Sequence, residues 1–218
     1  MQIGERIPRE FYEQPTLQAA RALLGMRLVR IENRRRLAGI ILETEAYRGE
    51  EDQGCHCRAG LTKRTQVMYG PPGHAYVYFT YGMHWMLNFV VEKQGFPAAI
   101  LIRAIRPLEG VEIIAARRAD QPQARWTDGP AKICQALNID KGLNGADLCD
   151  PQAELFVEWG EPISEDRVTT GPRVGLNTVP EPWKSVPWRF LARGIDIKPG
   201  GNDEITGREN RNHLRRGE

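Results

Sequence analysis

The chain has 218 residues, 41% of them hydrophobic and 27% charged, with a net charge of +2. That length can bury a sizeable core in one large domain or two small ones. The near-neutral charge does not by itself announce a nucleic-acid binder, no run nears the roughly 18–20 apolar residues of a membrane span, and residues 1–10 are too polar for a secretory signal.

In chain order, a short helix is expected from residue 15 or 16 to 24, because Pro15 suits a first turn and Gly25 is placed to end it. Strand-like runs follow at 26–32 and 37–45, with 33–36 as the turn between them. Residues 47–73 read as a long polar loop rich in glycine, and loops of that length inside compact domains are often functional. The strongest β signal is A-Y-V-Y-F-T at 75–80, continued at 85–91 and 98–105 as a meander. Its first turn carries Tyr81-Gly82-Met83-His84, and Gln94-Gly95 marks the second. Helices are expected over 108–118 and 130–138, the latter capped by Thr127 or Asp128 with Pro130 near its first position. Short strands are expected at 154–159 and 188–192, and beyond Ile197 the composition turns to that of a polar tail.

Several residue groups can carry chemistry. In Glu43-Thr44-Glu45-Ala46-Tyr47, strand alternation puts Glu43, Glu45 and Tyr47 on one face. A carboxylate at the mouth of a buried strand makes a good general base, because partial desolvation raises its pKa. The alternative is that both glutamates are surface residues where the strand emerges, and the clustered charges at 27–36 and 43–64 solvated faces. Cys55-His56-Cys57 invites a zinc reading, but adjacent ligands lack the usual C-x₂₋₄-C spacing and no second pair lies nearby, so no metal is expected. The four cysteines fit a reducing, cytosolic setting better than a disulfide scaffold. Tyr76 and Tyr78 alternate with Val77 and Phe79, so one pair faces the core and the other a cleft or solvent. Tyr81 beside Gly82 is placed like the wedge a minor-groove binder inserts between base steps. Lys132 in the first turn of a helix is a natural phosphate contact, with Asp128 as a simple cap the equally open alternative.

Taken together, Glu43 to Tyr47, Asp52, His56, Tyr76-Val77-Tyr78, Tyr81-Gly82-Met83, Asn88 and Leu101-Ile102-Arg103-Ala104 closely resemble the alkyladenine (3-methyladenine) DNA glycosylase family. So do Gly129-Pro130-Ala131-Lys132-Ile133-Cys134-Gln135-Ala136-Leu137 and Arg173-Val174-Gly175, in the same order and at nearly constant spacing. The resemblance implies an α+β fold: a single mixed domain at 1–197 around a curved antiparallel sheet, with a protruding DNA-inserting hairpin, short helices around it, and a C-terminal tail at 198–218. It further implies a monofunctional enzyme of base excision repair that flips an alkylated or deaminated purine from duplex DNA and hydrolyses its glycosidic bond, without a cofactor. The partner would be double-stranded DNA containing damaged bases. The protein would be a monomer with no membrane association, cytoplasmic and nucleoid-associated in a bacterium or nuclear in a eukaryote.

By the same resemblance, Glu45 would be the general base, holding a water together with Arg103 and the backbone carbonyl of Val174. Tyr47 and Tyr78 would sandwich the flipped base, and His56 would meet its other edge. Asn88 would line the pocket floor and discourage guanine. Tyr81 would fill the vacated stack, helped by Met83, and Lys132 would hold a phosphate. Thr65 stands where the family usually has asparagine, and the cysteines flanking His56 are not typical of it. Two other classes stay open on the residues alone: a non-catalytic damage-binding protein, and a metal-dependent nucleic-acid hydrolase using His56 and nearby acids.

Overall fold

The computed structural model describes residues 2–200 and is organised by one open, antiparallel eight-stranded sheet. Its strands are β1 (Arg27–Glu32), β2 (Arg35–Arg48), β3 (Ala75–Thr80), β4 (His84–Val90), β5 (Ala98–Glu109), β6 (Leu155–Glu158), β7 (Val168–Gly171) and β8 (Arg189–Ala192). The order is β3-β4-β5-β2-β1-β6, with β8 joining β2 and β7 at the flank. Four short helices accompany it: α1 (Arg9–Tyr12), α2 (Thr16–Ala22), α3 (Val111–Arg117) and α4 (Pro130–Leu137). This is the expected mixed α+β single domain. Residues 201–218, most of the expected tail, lie outside the described residues. Among those described, no helix is long and apolar enough to cross a membrane.

β2 is the spine, because β5 pairs along one edge while β1 and then β8 pair along the other. Its first half is apolar on both faces, with Leu37 and Ile41 in the main core and Ala38 in a smaller cluster with Val29 and Phe156. Its second half divides by face. Leu42 and Ala46 join the main core, and Thr44 donates to the carbonyl of Ala20 in α2 at 2.8 Å. Glu43, Glu45 and Tyr47 therefore project from the opposite face. The core face is covered by Ala19 and Ala20 of α2 and by Ile133, Cys134 and Leu137 of α4, packed on Leu87, Phe89, Ile100 and Ile102.

Several boundaries moved for identifiable reasons. The hairpin joining β1 to β2 turns on Asn33 and Arg34 alone, both at positive φ, so β2 starts at Arg35. β5 continues through Pro107 to Glu109, and α3 begins only at Val111, not at 108. Pro107 is tolerated because it sits opposite Gly39, where the register with β2 shifts and the ladder is already irregular. α4 is capped by neither Thr127 nor Asp128 but by Gly129, which makes no side-chain cap bond. The Thr127 hydroxyl instead donates to the carbonyl of Ile105 at 2.6 Å. The loop at 47–73 is shorter than expected, since β2 reaches Arg48 and 3₁₀ turns form at His56–Ala59 and Gln66–Tyr69. α1 and β7, only four residues each, carry too little periodicity to be read from sequence.

Gly25 shows how tightly the chain crosses itself. Its φ is +90°, its N–H donates to the carbonyl of Ile41 at 2.9 Å, and a Cβ there would lie 2.0 Å from the carbonyl oxygen of Glu161. Gly25→Ala combines backbone strain with overpacking against main chain that has no rotamer to yield, so it should destabilise the fold by about 3 kcal/mol or more. Equilibrium urea unfolding should show a lower midpoint at unchanged slope; an unchanged midpoint would contradict this packing.

Candidate active site

The face of the sheet carrying Glu45 supports a cavity of about 340 Å³, within the roughly 300–1,000 Å³ typical of small-molecule sites. Four adjacent strands furnish its floor: Tyr47 from β2, Leu101 and Arg103 from β5, Asn88 from β4, and Tyr76 and Tyr78 from β3. Two irregular segments complete it: His56 with its neighbours, and Val174, Gly175 and Leu176. Of the residues singled out in the sequence, Tyr47, His56, Tyr78, Tyr81, Asn88, Arg103 and Val174 line this one cavity. Glu45 lies directly behind it, bonded to three of them.

Glu45 is 0% exposed, so the reading of it as a surface residue is wrong. Its Oε1 accepts the Val174 N–H at 2.6 Å, and its Oε2 accepts the Tyr47 hydroxyl at 2.8 Å. Arg103 stands 3.4 Å from both carboxylate oxygens. Val174 thus meets Glu45 through its backbone amide, which leaves its carbonyl for the water that the resemblance assigns to it. Burial pushes the Glu45 carboxyl above its ordinary 4.5 and outweighs the opposing pull of Arg103, the Val174 amide and the Tyr47 hydroxyl; the charge of Glu43 adds to the rise. Glu43 is also largely buried, pairing with Arg103 at 3.1 Å and Arg189 at 3.2 Å.

Behind the pocket lies a pair to which sequence reasoning gave no role. Arg173 and Asp52 both have fully buried side chains, and the guanidinium grips the carboxylate bidentately at 2.5 and 2.7 Å. The same group donates to the carbonyls of Ala46 at 3.0 Å and Trp183 at 3.2 Å, and lies 4.6 Å over the Tyr47 ring. Both residues fell within recognised segments, but nothing in a linear sequence says that they touch.

The other wall is aromatic. His56 meets Tyr78 edge-on at 4.5 Å, and Tyr78 lies 5.4 Å from Tyr76. The His56 Nδ1 is 3.0 Å from the Tyr76 hydroxyl, and Nε2 is 3.3 Å from Arg64. A guanidinium can only donate, so Nε2 accepts and the imidazole proton belongs on Nδ1. Burial, then Arg64 and Arg58, lower the His56 pKa to about 4, so the ring is neutral at neutral pH. Burial pushes the Tyr76 phenol up to about 12. The Asn88 side-chain amide donates to the Tyr76 carbonyl at 3.1 Å, which fixes which part of the amide faces the cavity. As alternation required, Val77 joins the core while Tyr76 and Tyr78 face the cavity; Phe79 stays partly exposed against Trp85 at 4.7 Å.

The β3–β4 hairpin extends past the cavity to a tip where Tyr81 and Gly82 both have positive φ and the Met83 N–H donates to the Thr80 carbonyl at 3.2 Å. Tyr81 is 81% and Met83 66% exposed. Met83 and Lys132 do not line the cavity; Lys132 pairs with Asp128 at 2.6 Å on α4, whose first residue, Pro130, does. Cys55 and Cys57 are buried with Met68 in an apolar cluster, and among the described residues no group of three or more His, Cys, Asp or Glu is placed to hold a metal. Thr65 bonds back to the Gly60 carbonyl at 3.0 Å, staples its own loop through Thr62, and does not line the cavity.

Removing one partner of a fully buried ion pair costs about 3–5 kcal/mol, whereas a half-exposed pair contributes about 1 kcal/mol or less. Asp52→Asn should therefore lower stability by about 3–5 kcal/mol, and Asp128→Asn by less than about 1 kcal/mol. Parallel denaturant titrations would check this; equal shifts in the two variants would show that Asp52 does not tie the site together.

Comparison with known proteins places this geometry. The family model for methylpurine-DNA glycosylase matches residues 10–196, which contain every residue of the cavity. A Methanocella arvoryzae protein is 48% identical over 188 residues, covering 84% of this chain and 90% of that protein. Proteins of Carboxydothermus hydrogenoformans and Myxococcus xanthus are 45% and 43% identical, covering 86% of this chain and 95% and 90% of theirs. All three are named as candidate 3-methyladenine DNA glycosylases. With a match that runs from α1 to beyond β8, the chain belongs to the methylpurine-DNA glycosylase family.

Proposed function

We propose that the protein is a monofunctional DNA glycosylase that draws an alkylated purine out of damaged duplex DNA into this cavity and hydrolyses its glycosidic bond. The carrying observation is Glu45, a buried carboxylate of raised pKa directly behind an aromatic cavity that an exposed aromatic hairpin tip adjoins. The substrate class follows from the lining. A purine alkylated at N3 or N7 is cationic, and the faces of Tyr47 and Tyr78 attract cations. The names of the relatives favour 3-methyladenine among the candidates, which also include 7-methylguanine, hypoxanthine and ethenoadenine.

In this reading the departing base leaves C1′ with oxocarbenium character, and Glu45 stabilises that charge while taking a proton from the attacking water. Arg103 and the Val174 backbone help to hold that water. Extruding a nucleotide costs a few kcal/mol, least for a damaged base. Tyr81 offsets part of this by filling the gap in the stack, with Met83 beside it. Asn88 sets the floor against which normal guanine is discriminated, and Lys132 serves a backbone phosphate near the first turn of α4. Among the described residues no lysine lines the cavity to form a Schiff base, and the product should be an abasic site in an unbroken strand.

Alkylated duplex incubated with the protein in EDTA should release free purines and acquire alkali-labile sites. Glu45→Gln should keep binding to lesion DNA but lose about 10²–10⁴-fold in single-turnover release. Near-normal release by that variant would remove Glu45 from the mechanism. Loss of wild-type activity in EDTA would point to a metal-dependent hydrolase, and binding without release to a damage-binding protein. Tyr81→Ser forfeits a stacking contact of about 1–3 kcal/mol and should weaken lesion binding about tenfold; a gel-shift titration indistinguishable from wild type would count against the wedge.

A further inference from the structure

Glu43 and Glu45 compete for one guanidinium. The Arg103 Nε lies 3.1 Å from Glu43 Oε1 and 3.4 Å from Glu45 Oε1, while Nη1 reaches Glu45 Oε2 at 3.4 Å. Charge-assisted N–H···O bonds ordinarily measure about 2.7–2.9 Å, so Arg103 leans toward Glu43 and leaves Glu45 with the weaker share. Glu43 is in turn held from the far side by Arg189 at 3.2 Å.

The backbone imposes this arrangement. Along the β2–β5 ladder Ile41 faces Ile105, Glu43 faces Ala104, and Thr44 faces Ile102. One residue, Leu42, is extra on β2, and one, Arg103, is extra on β5; the two irregularities cancel. Leu42 and Ala104 enter the core, whereas the neighbouring Glu43 and Arg103 pair with each other at 3.1 Å. Bulges of this kind re-aim side chains next to active sites. Here they bring Arg103 to Glu43 as well as to Glu45.

We propose that Glu43 is a positioning residue for the glycosylase reaction, holding Arg103 so that Glu45 feels only part of its charge. The proposal rests on the assignment of Glu45 as the base. Without Glu43, the guanidinium would be free to settle on Glu45, making it a weaker base and misplacing the donors that face the water. The groups facing the two carboxylates are Arg103 of β5, Arg189 of β8, Tyr47 and the Val174 amide, with Tyr78 of β3 close enough to feel the Glu45 charge. Of these groups it is Glu45 whose carboxyl burial raises above its ordinary value. His56, neutral down to about pH 4, does not obscure the profile above that pH.

The test is single-turnover base release from methylated duplex DNA between about pH 5 and pH 9, where the acid limb reports the base. A negative neighbour raises a carboxyl pKa, so Glu43→Gln should move the acid limb to lower pH by about half a unit to one unit. The plateau should fall about three- to tenfold, with binding to lesion DNA unchanged. Glu43→Asp, which keeps the charge, should restore the position of the limb. Arg189→Gln leaves Glu43 less neutralised and should move the limb the other way, giving a signed result even if Glu43→Gln folds poorly. A Glu43→Gln profile superimposable on wild type, or a lower plateau with an unmoved limb, overturns the positioning role. The parallel Glu45→Gln measurement separates the two failures: if that variant still releases base, the base assignment has fallen and not merely the role of Glu43.

Discussion

The contact on which the site depends is the buried pair of Asp52 and Arg173. Its two residues are 121 positions apart in sequence, and each sits on an irregular segment with little secondary structure to hold it. Taking both charges out of water costs several kcal/mol per ion, which only good geometry repays. That geometry is present: two bonds to the carboxylate, two to backbone carbonyls, and the Tyr47 and Trp188 rings at 4.6 and 5.1 Å. A lysine, with one point charge and no planar fork, could not reproduce this set. Apolar side chains could match it in stability, so the pair is better understood as fixing position. It sets the Val174 amide against Glu45 and a cation beneath the ring that Glu45 bonds.

Glu45 is poised between opposing pulls, of which burial is the larger. A buried carboxylate offers about four lone-pair sites; the Val174 amide and Tyr47 hydroxyl take one each at short range, and Arg103 approaches at 3.4 Å without closing a tight bond. Too few partners would leave the acid protonated, and a full salt bridge would make it a poor proton acceptor. With Arg103 held at 3.4 Å, the arrangement stops short of a full salt bridge. Strand β2 supplies the necessary rigidity, being hydrogen-bonded along both edges at this point.

What could be read from sequence divides along physical lines. The meander, the hairpin tip and the face shared by Glu43, Glu45 and Tyr47 follow from period-two alternation, a local property, and all appear in the structure. Function was legible only through family resemblance, because Glu45 alone looks like a surface glutamate. The Asp52–Arg173 pair was invisible because it is purely tertiary. The paired bulges at Leu42 and Arg103 were hidden for a different reason: an apolar run such as Ile40-Ile41-Leu42 reads the same with or without a register shift. Nothing in the sequence therefore pairs Glu43 with Arg103, which it meets at 3.1 Å. Helix α4 shows a local rule outvoted, since Thr127 satisfies the Ile105 carbonyl in the core and leaves the cap to Gly129.

The hairpin links the proposed wedge to the proposed base slot through one covalent ladder. Tyr81 and Tyr78 lie three positions apart on a chain that rises about 3.3 Å per residue in a strand, so the tip cannot advance without carrying the slot wall with it. Tyr81 also adopts a φ of +49°, an uncommon conformation for an aromatic residue, while most of its ring meets water. Backbone strain of this kind costs about 1–3 kcal/mol and persists where surrounding structure enforces it. Here the paired strands and the Gly82 turn do so. The free protein therefore already holds its exposed ring in an unfavourable setting, and entry into a base stack would relieve the exposure without requiring the hairpin to rearrange. If Tyr81 is the wedge proposed above, its stacking energy offsets the cost of extrusion with little spent on ordering the tip.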